Sequence, residues 1–375
     1  MTTLSTQLSI LLTISLFTLT LTAPLQTCKG LALQGGSDKG AYQAGVLQGL
    51  FQKLGAEAID YDVISGITIG AVNAAWMTQF PKGQEDVMID ELLNFWLTIK
   101  ASDVYKDWEG GIIQGLLFEP SMYNTGPGME YLKTHITQAP QRYIGVGTAN
   151  ANNGGFKVFN NFNETLSAED MLQAVMAAMG ISGVFPYIEI NDSTYFDGSP
   201  LKSTDVASVV NQCRALNGGN DSNIVIDIIM LSGKNLSTAE VDGLNALQVL
   251  VRTLELTSYN NAMIGLVRAK ETFPNVQFRY VIAPSTPIPA SDMPISFDHD
   301  EIVNMINMGN QDAAAAIAAG PGVSFDEYVE FARAKKGLKR TQPETGSVLK
   351  EKLAKLNEMF SELRAQRERA ESVAV

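Results

Sequence analysis

Three short stretches hold residue types from which acyl-transfer chemistry can be assembled. Residues 63 to 74, VISGITIGAVNA, read as a β-branched strand, a glycine-pinched turn and the start of a helix, with Thr68 at the apex. Gly66-Ile67-Thr68-Ile69-Gly70 has the spacing of a nucleophile elbow, the strand-to-helix turn that lifts a hydroxyl into a site, with threonine in the serine position. The elbow glycines Gly66 and Gly70 remove Cβ atoms where strand and helix crowd around a strained apex. Upstream lies a glycine loop, Gly35-Gly36-Ser37-Asp38-Lys39-Gly40. It lacks G-x-G-x-x-G spacing, and Lys39 is not followed by Ser or Thr, so dinucleotide and Walker-type phosphate sites match poorly. Its glycines let peptide N–H groups turn into a pocket, which suits an oxyanion. Downstream, Asp197-Gly198-Ser199-Pro200 sets a carboxylate at a strand end. Asp197 can take the elbow hydroxyl's proton if it comes within about 2.6–3.2 Å, or it can simply cap the D-G turn.

Only two histidines exist, His135 and His299. The first falls on a helix whose Leu132 and Ile136 point inward, the second in SFDHDEI, a capping or surface context. A hydroxyl-carboxylate dyad needs no histidine and accounts for both glycine loops, so neither is assigned to the chemistry.

The elements that must position these groups are readable from periodicity. KGLALQ, the glycine loop and AYQAGVLQGLFQKLG make a strand, loop and helix, with Tyr42, Val46, Leu50 and Leu54 at steps of four. YDVIS and GITIGAVNAAWMTQF repeat that order. Two β-loop-α units in succession predict a parallel sheet covered by helices on both faces. A helix is expected from about 85 to 99, then an irregular covering segment over residues 107 to 128, where five large apolar residues, Ile112, Ile113, Leu116, Leu117 and Phe118, belong either to the core, to an acyl-chain cleft or to a membrane contact. RYIGVGTAN and GGFKVFN read as neighbouring strands. SAEDMLQAVMAAMG reads as a helix opened by Ser167 and Asp170, FPYIEI and STYFDGSP as short strands around a turn, and NIVIDIIML as a central parallel strand. Helices follow over about 238–270, 297–316 and 324–335, the segment 340–346 reads as a linker, and residues 346–375 form a charged amphipathic helix with Leu349, Leu353, Leu356, Phe360 and Leu363 at 4-3 spacing, suited to docking or weak self-association.

The chain has 375 residues and 45% hydrophobic content, enough for one large α/β domain. Its formal charge is −13, and residues 331–375 carry 11 Lys and Arg against 6 acidic residues, which leaves 16 basic against 34 acidic in the body. That surface repels phosphate backbones, so nucleic acid is excluded as a partner. Residues 1–23, ending in an apolar run and Ala23, have signal-peptide architecture without an N-terminal Lys or Arg, and a retained membrane anchor is the alternative. Asn163, Asn191 and Asn235 each open an N-glycosylation pattern, and Cys28 and Cys213 form either one disulfide or two buried thiols. A secreted or lumenal location follows from the leader reading.

The three chemical elements, in this order, resemble the patatin-like phospholipase family, whose members share an oxyanion motif G-G-G-x-R/K-G, a G-x-S-x-G elbow and an aspartate in D-G-G or D-G-A. Here these fall on GGSDKG (Gly35 to Gly40), GITIG (Gly66 to Gly70) and DGS (Asp197 to Ser199). GGIIQGLLFEPSMYNTGPGMEYL and AVMAAMGISGVFPYIEINDSTYFDG are similar to family segments around the site, and the likeness spans roughly residues 28–320 within a domain placed at 28–335. The resemblance implies a three-layer α/β/α sandwich with a mostly parallel central sheet, and hydrolysis of fatty acyl esters of phospholipids or neutral lipids through a covalent acyl-enzyme. It implies Asp197 as activator of the residue-68 hydroxyl, peptides of Gly35, Gly36 and Ser37 as oxyanion donors, Lys39 as electrostatic support of that loop, and no metal or organic cofactor. A lipid substrate makes transient contact with a membrane surface an expectation.

Three residues depart from the family pattern: Thr68 for serine, Ser37 for the third glycine, and Ser199 for Gly or Ala. A threonine keeps Oγ, but its γ-methyl restricts the rotamer, and a misplacement of about 1 Å costs on the order of 100-fold in rate. Weak or altered hydrolysis is therefore expected, with an inactive lipid- or protein-binding module as the reading from another class.

Overall fold

The computed structural model describes residues 27–163, 165–236, 243–289 and 295–338. The leader at 1–23, the linker at 340–346 and the helix at 346–375 lie outside the described residues. The chain divides into two units, Met1–Ala332 and Arg333–Val375, and the architecture below is that of the first.

The opening repeat forms as its periodicity requires. Strand β1 (Cys28–Leu33) leads through the glycine loop to helix α1 (Gly40–Leu54), and β2 (Val63–Ile67) leads through Thr68 to α2 (Ile69–Thr78). Both strands are short, apolar and almost wholly buried, and they pair in parallel. Side chains alternate across the sheet: Leu31, Leu33 and Ile64 enter one core, Ala32 and Val63 the other. A strand buried on both faces is the pattern of a parallel sheet between two helical layers.

The remaining strands are β3 (Tyr143–Asn150), β4 (Phe156–Asn160), β5 (Ile188–Ile190), β6 (Ser193–Asp197), β7 (Ile224–Ile229) and β8 (Gln277–Ile282). They form one sheet in the order β5-β6-β3-β2-β1-β7-β8, with β4 also paired to β3. The pairs among β3, β2, β1, β7 and β8 are parallel, while β4, β5 and β6 join in antiparallel fashion. The fold is thus a mixed, mostly parallel sheet with helices on both faces, a three-layer α/β/α sandwich. As the sequence indicates, NIVIDIIML becomes an interior parallel strand, and β5 and β6 turn at Asn191 and Asp192, both at positive φ.

One register decides the site. Strand β4 pairs with β3 over Gly145–Ala149, so β2 and β6 must share the other edge of β3. There β2 ends with Ile67 opposite Gly147, and β6 ends with Asp197 opposite Thr148. Consecutive residues of β3 therefore bring the elbow and the aspartate together.

Helices α3 (Glu85–Thr98), α4 (Ala101–Val104), α5 (Gly111–Phe118), α6 (Gly126–His135), α7 (Ala168–Ala178), α8 (Val206–Leu216), α9 (Ala246–Thr272), α10 (His299–Ala319) and α11 (Val323–Lys336) complete the described chain. The segment read as irregular, 107–128, contains helical turns: Gly111, at φ 70, starts α5, and its apolar side chains point to solvent. Helix α9 starts at Ala246, where Asn245 and Gln248 form a capping box, and the expected start near 238 lies outside the described residues. Ser167 caps α7 by accepting the Asp170 N–H at 3.0 Å, as read from sequence.

Cys28 and Cys213 form a disulfide that ties the start of β1 to α8, with 5.5 Å between Cα atoms. The bridge closes a 185-residue separation, for which chain entropy gives about 5 kcal/mol and measured bridges about 2–4. Reduction is expected to lower the thermal midpoint by roughly 5–15 °C. An unchanged midpoint by calorimetry with and without dithiothreitol would show that the bridge does not hold β1 to α8.

Candidate active site

Thr68 follows β2 and is the N-cap residue of α2, with φ 49 and ψ −120. A non-glycine residue at positive φ is rare, and for a β-branched one it is a strained outlier that its surroundings must hold in place. The glycines on either side make that possible: a Cβ on Gly66 would stand 2.1 Å from the Gly70 carbonyl oxygen, and one on Gly70 would stand 2.7 Å from that of Leu33. The strained turn lifts Thr68 Oγ1 into a cavity while the residue stays only 2% exposed.

Thr68 Oγ1 donates to Asp197 Oδ1, and the Ser199 N–H donates to the same oxygen at 3.0 Å. Asp197 therefore caps the D-G turn and partners the elbow hydroxyl at once, so the two sequence readings of this residue are compatible. Burial pushes its carboxyl up to about 6, against the opposing pull of hydrogen bonds from Thr68 and from the Ser199 N–H and hydroxyl. A carboxylate at that value exchanges a proton readily near neutral pH.

Ser199 is the participant that sequence reasoning missed, having registered it only as a departure from the family pattern. Its Oγ lies 2.8 Å from Thr68 Oγ1. Because the Thr68 hydroxyl proton goes to Asp197, the Ser199 hydroxyl is the donor in this pair, and one of the two lone pairs of Thr68 Oγ1 stays open. The available signal was a hydroxyl two residues beyond an aspartate, but only the turn at Gly198 aims it back at position 68.

The glycine loop contributes differently from expectation. The Gly35 N–H, expected among the oxyanion donors, is committed to the Ser203 carbonyl at 3.1 Å. What Gly35 supplies is space: a Cβ there would stand 2.6 Å from both Thr68 Oγ1 and Ser199 Oγ. Gly36 and Ser37 line the same cavity, and among the described residues no acceptor takes either N–H. Ser37 sits at φ 56, in the region that favours the glycine it replaces. Lys39 is paired with Glu255 of α9 at 3.2 Å, and Glu255 also accepts from Arg252 at 3.1 Å, so the two cations share one carboxylate at the cavity wall.

Apolar side chains from distant segments, including Val184, Leu231, Val251, Leu254 and Ile288, form the rest of the lining. An apolar cleft with a few convergent polar groups at one end fits an acyl chain whose ester reaches those groups. His135 and His299 are both exposed and outside this lining. Asn163, Asn191 and Asn235 are exposed as well, and Asn235 stands at the cavity rim. No group of three or more His, Cys, Asp or Glu among the described residues could hold a metal ion, and no described helix is long and apolar enough to cross a membrane.

Residues 31–209, just under half of the chain, match the family model for patatin-like phospholipase. The match takes in the glycine loop, the elbow and the aspartate turn. Among solved structures, the crystal structure of VipD from Legionella pneumophila is similar at 10% identity and a TM-score of 0.36, covering 80% of this chain and 68% of that one. No curated protein matches the chain.

Proposed function

We propose that the protein is a lipid acyl hydrolase that uses Thr68 as nucleophile and Asp197 as base, with slow turnover. The single observation that carries this reading is the Thr68 hydroxyl hydrogen-bonded to a buried carboxylate at the end of an apolar cleft. Thr68 Oγ1 attacks the ester carbonyl as its proton passes to Asp197, and the Gly36 and Ser37 N–H groups are placed to hold the oxyanion. Collapse expels the alcohol, which takes the proton from Asp197. Water, deprotonated by Asp197, then cleaves the Thr68 acyl ester and the proton returns to the threonine. The strain at Thr68 and Ser37 supports slow turnover.

The test is release of fatty acid from phosphatidylcholine and triacylglycerol, alongside labelling by a fluorophosphonate and mapping of the adduct. Turnover is expected for the native chain and absent from Thr68→Ala, with the label on Thr68. A label on Ser199, or undiminished turnover in Thr68→Ala, would move the nucleophile away from position 68. Absence of both turnover and labelling would favour the binding-module reading. We further read the chain as secreted or lumenal, a reading supported by the disulfide and the exposure of the three asparagines.

A further inference from the structure

Helix α5 exposes Ile112, Ile113, Leu116, Leu117 and Phe118, between 43% and 80% of each residue being open to solvent. At 3.6 residues per turn Ile112, Leu116, Ile113 and Leu117 span about 140° of the circumference, and Phe118 lies about 100° further round, past Gln114, whose amide is tied to the Gly110 N–H at 2.7 Å and to Glu119 at 2.6 Å. Gly115 marks the inward side, where a Cβ would stand 2.4 Å from the Met122 carbonyl oxygen. A helix that fills a protein groove needs an apolar stripe of about 100°. One that exposes a wider arc and a further phenylalanine, with its single polar side chain already bonded, on an otherwise acidic molecule, fits a medium into which it can sink.

The position of α5 says which medium. The Met122 N–H donates to Gly183 O at 3.0 Å, and the Tyr123 N–H to Val184 O at 3.1 Å. Val184 lines the cavity, and Leu250 of α9, itself 39% exposed beside Val249 at 50%, reaches over Gly183. Gly183 thus lies between Met122, against which α5 packs at Gly115, and Leu250 of α9, and it adjoins Val184 of the cleft lining. A protein seated on both would cover the route by which substrate enters, whereas the surface that contains the substrate would present it.

Resting on the hydrolase reading for its choice of ligand, we propose that α5, together with the exposed start of α9, inserts into a lipid surface and sets the cleft mouth against it. Asp107, Glu109 and Glu119 flank the helix against the single cation of Lys106, so the surface it fits carries neutral or zwitterionic headgroups rather than anionic ones.

The test is sedimentation of the full chain with phosphatidylcholine vesicles, and with vesicles containing phosphatidylserine, for the native protein and for Ile113→Asp/Leu117→Asp. Both side chains are largely exposed, so the folded core is retained, and circular dichroism checks it. The native chain is expected to bind phosphatidylcholine vesicles, with weaker binding as phosphatidylserine rises, and the double variant to lose binding more than tenfold. Turnover of water-soluble p-nitrophenyl butyrate should be equal in both. Equal vesicle binding by variant and native chain, or no binding by the native chain, would overturn the proposal. So would a native dimer that the double variant converts to monomer without any vesicle binding. Vesicle binding that depends on α5 in a chain that hydrolyses no ester would sustain this proposal while removing the hydrolase reading.

Discussion

Thr68→Ser is expected to raise kcat/KM for acyl esters by about 10- to 100-fold, the scale associated with correcting a misplacement of about 1 Å. The hydroxyl of Thr68 already meets Asp197, so the substitution leaves the proton path in place. What it removes is the γ-methyl at a residue held at φ 49, between the Gly35 backbone on one side and Ser199 on the other. Without that methyl the side chain can adopt the rotamer that points Oγ at a carbonyl, and the elbow loses part of its strain. The change should fall on kcat more than on KM, because the cleft lining is untouched. A serine variant no faster than the native chain would mean that the threonine methyl does not limit the reaction, and that the oxyanion loop with its strained Ser37 does.

Asp197→Asn is expected to lower turnover about 100- to 10,000-fold at pH 7, the usual contribution of a positioned base. The native rate should rise with pH through about 6 and level above it, because the base works as carboxylate and burial holds its carboxyl at about 6. The variant should show no such limb. Stability should move the other way. The folded-state value lies above the ordinary 3.8, so the native protein binds this proton more tightly than the unfolded chain does. That contribution is fully present below about pH 4 and is lost as pH rises through about 6. At pH 7 the buried carboxylate then costs on the order of 2–3 kcal/mol, which asparagine avoids. Denaturant midpoints should therefore show Asp197→Asn as the more stable protein at pH 7, with the advantage fading toward pH 4. A variant that is both active and less stable at pH 7 would show that Asp197 is a structural cap.

Much of the fold is legible in short windows. Alternating β-branched strands, glycine turns and helices with steps of four specify the two β-loop-α units, and local caps such as Ser167 mark their own helix starts. The start of α9 at Ala246 is set by a single side-chain pair, Asn245 with Gln248, which satisfies the first free N–H groups. The glycines of segment 107–128 signal irregularity in sequence, whereas one of them, at positive φ, launches a helix. Whether Ile113 or Phe118 is core or surface depends on what packs beside it, which no local pattern records.

By itself the sequence determined which groups could react: a hydroxyl between two glycines at 68, a carboxylate beside glycine at 197, and a loop of peptides at 35 to 40. Residue types and near-neighbour spacing fix such properties because they act through local backbone geometry. The tertiary structure alone decided that β2 and β6 end side by side on β3, that Ser199 turns back onto Thr68, that Gly35 yields space rather than a donor, and that α5 stands open beside the cleft. Each of these is a meeting of residues distant in the chain, set by sheet order and packing.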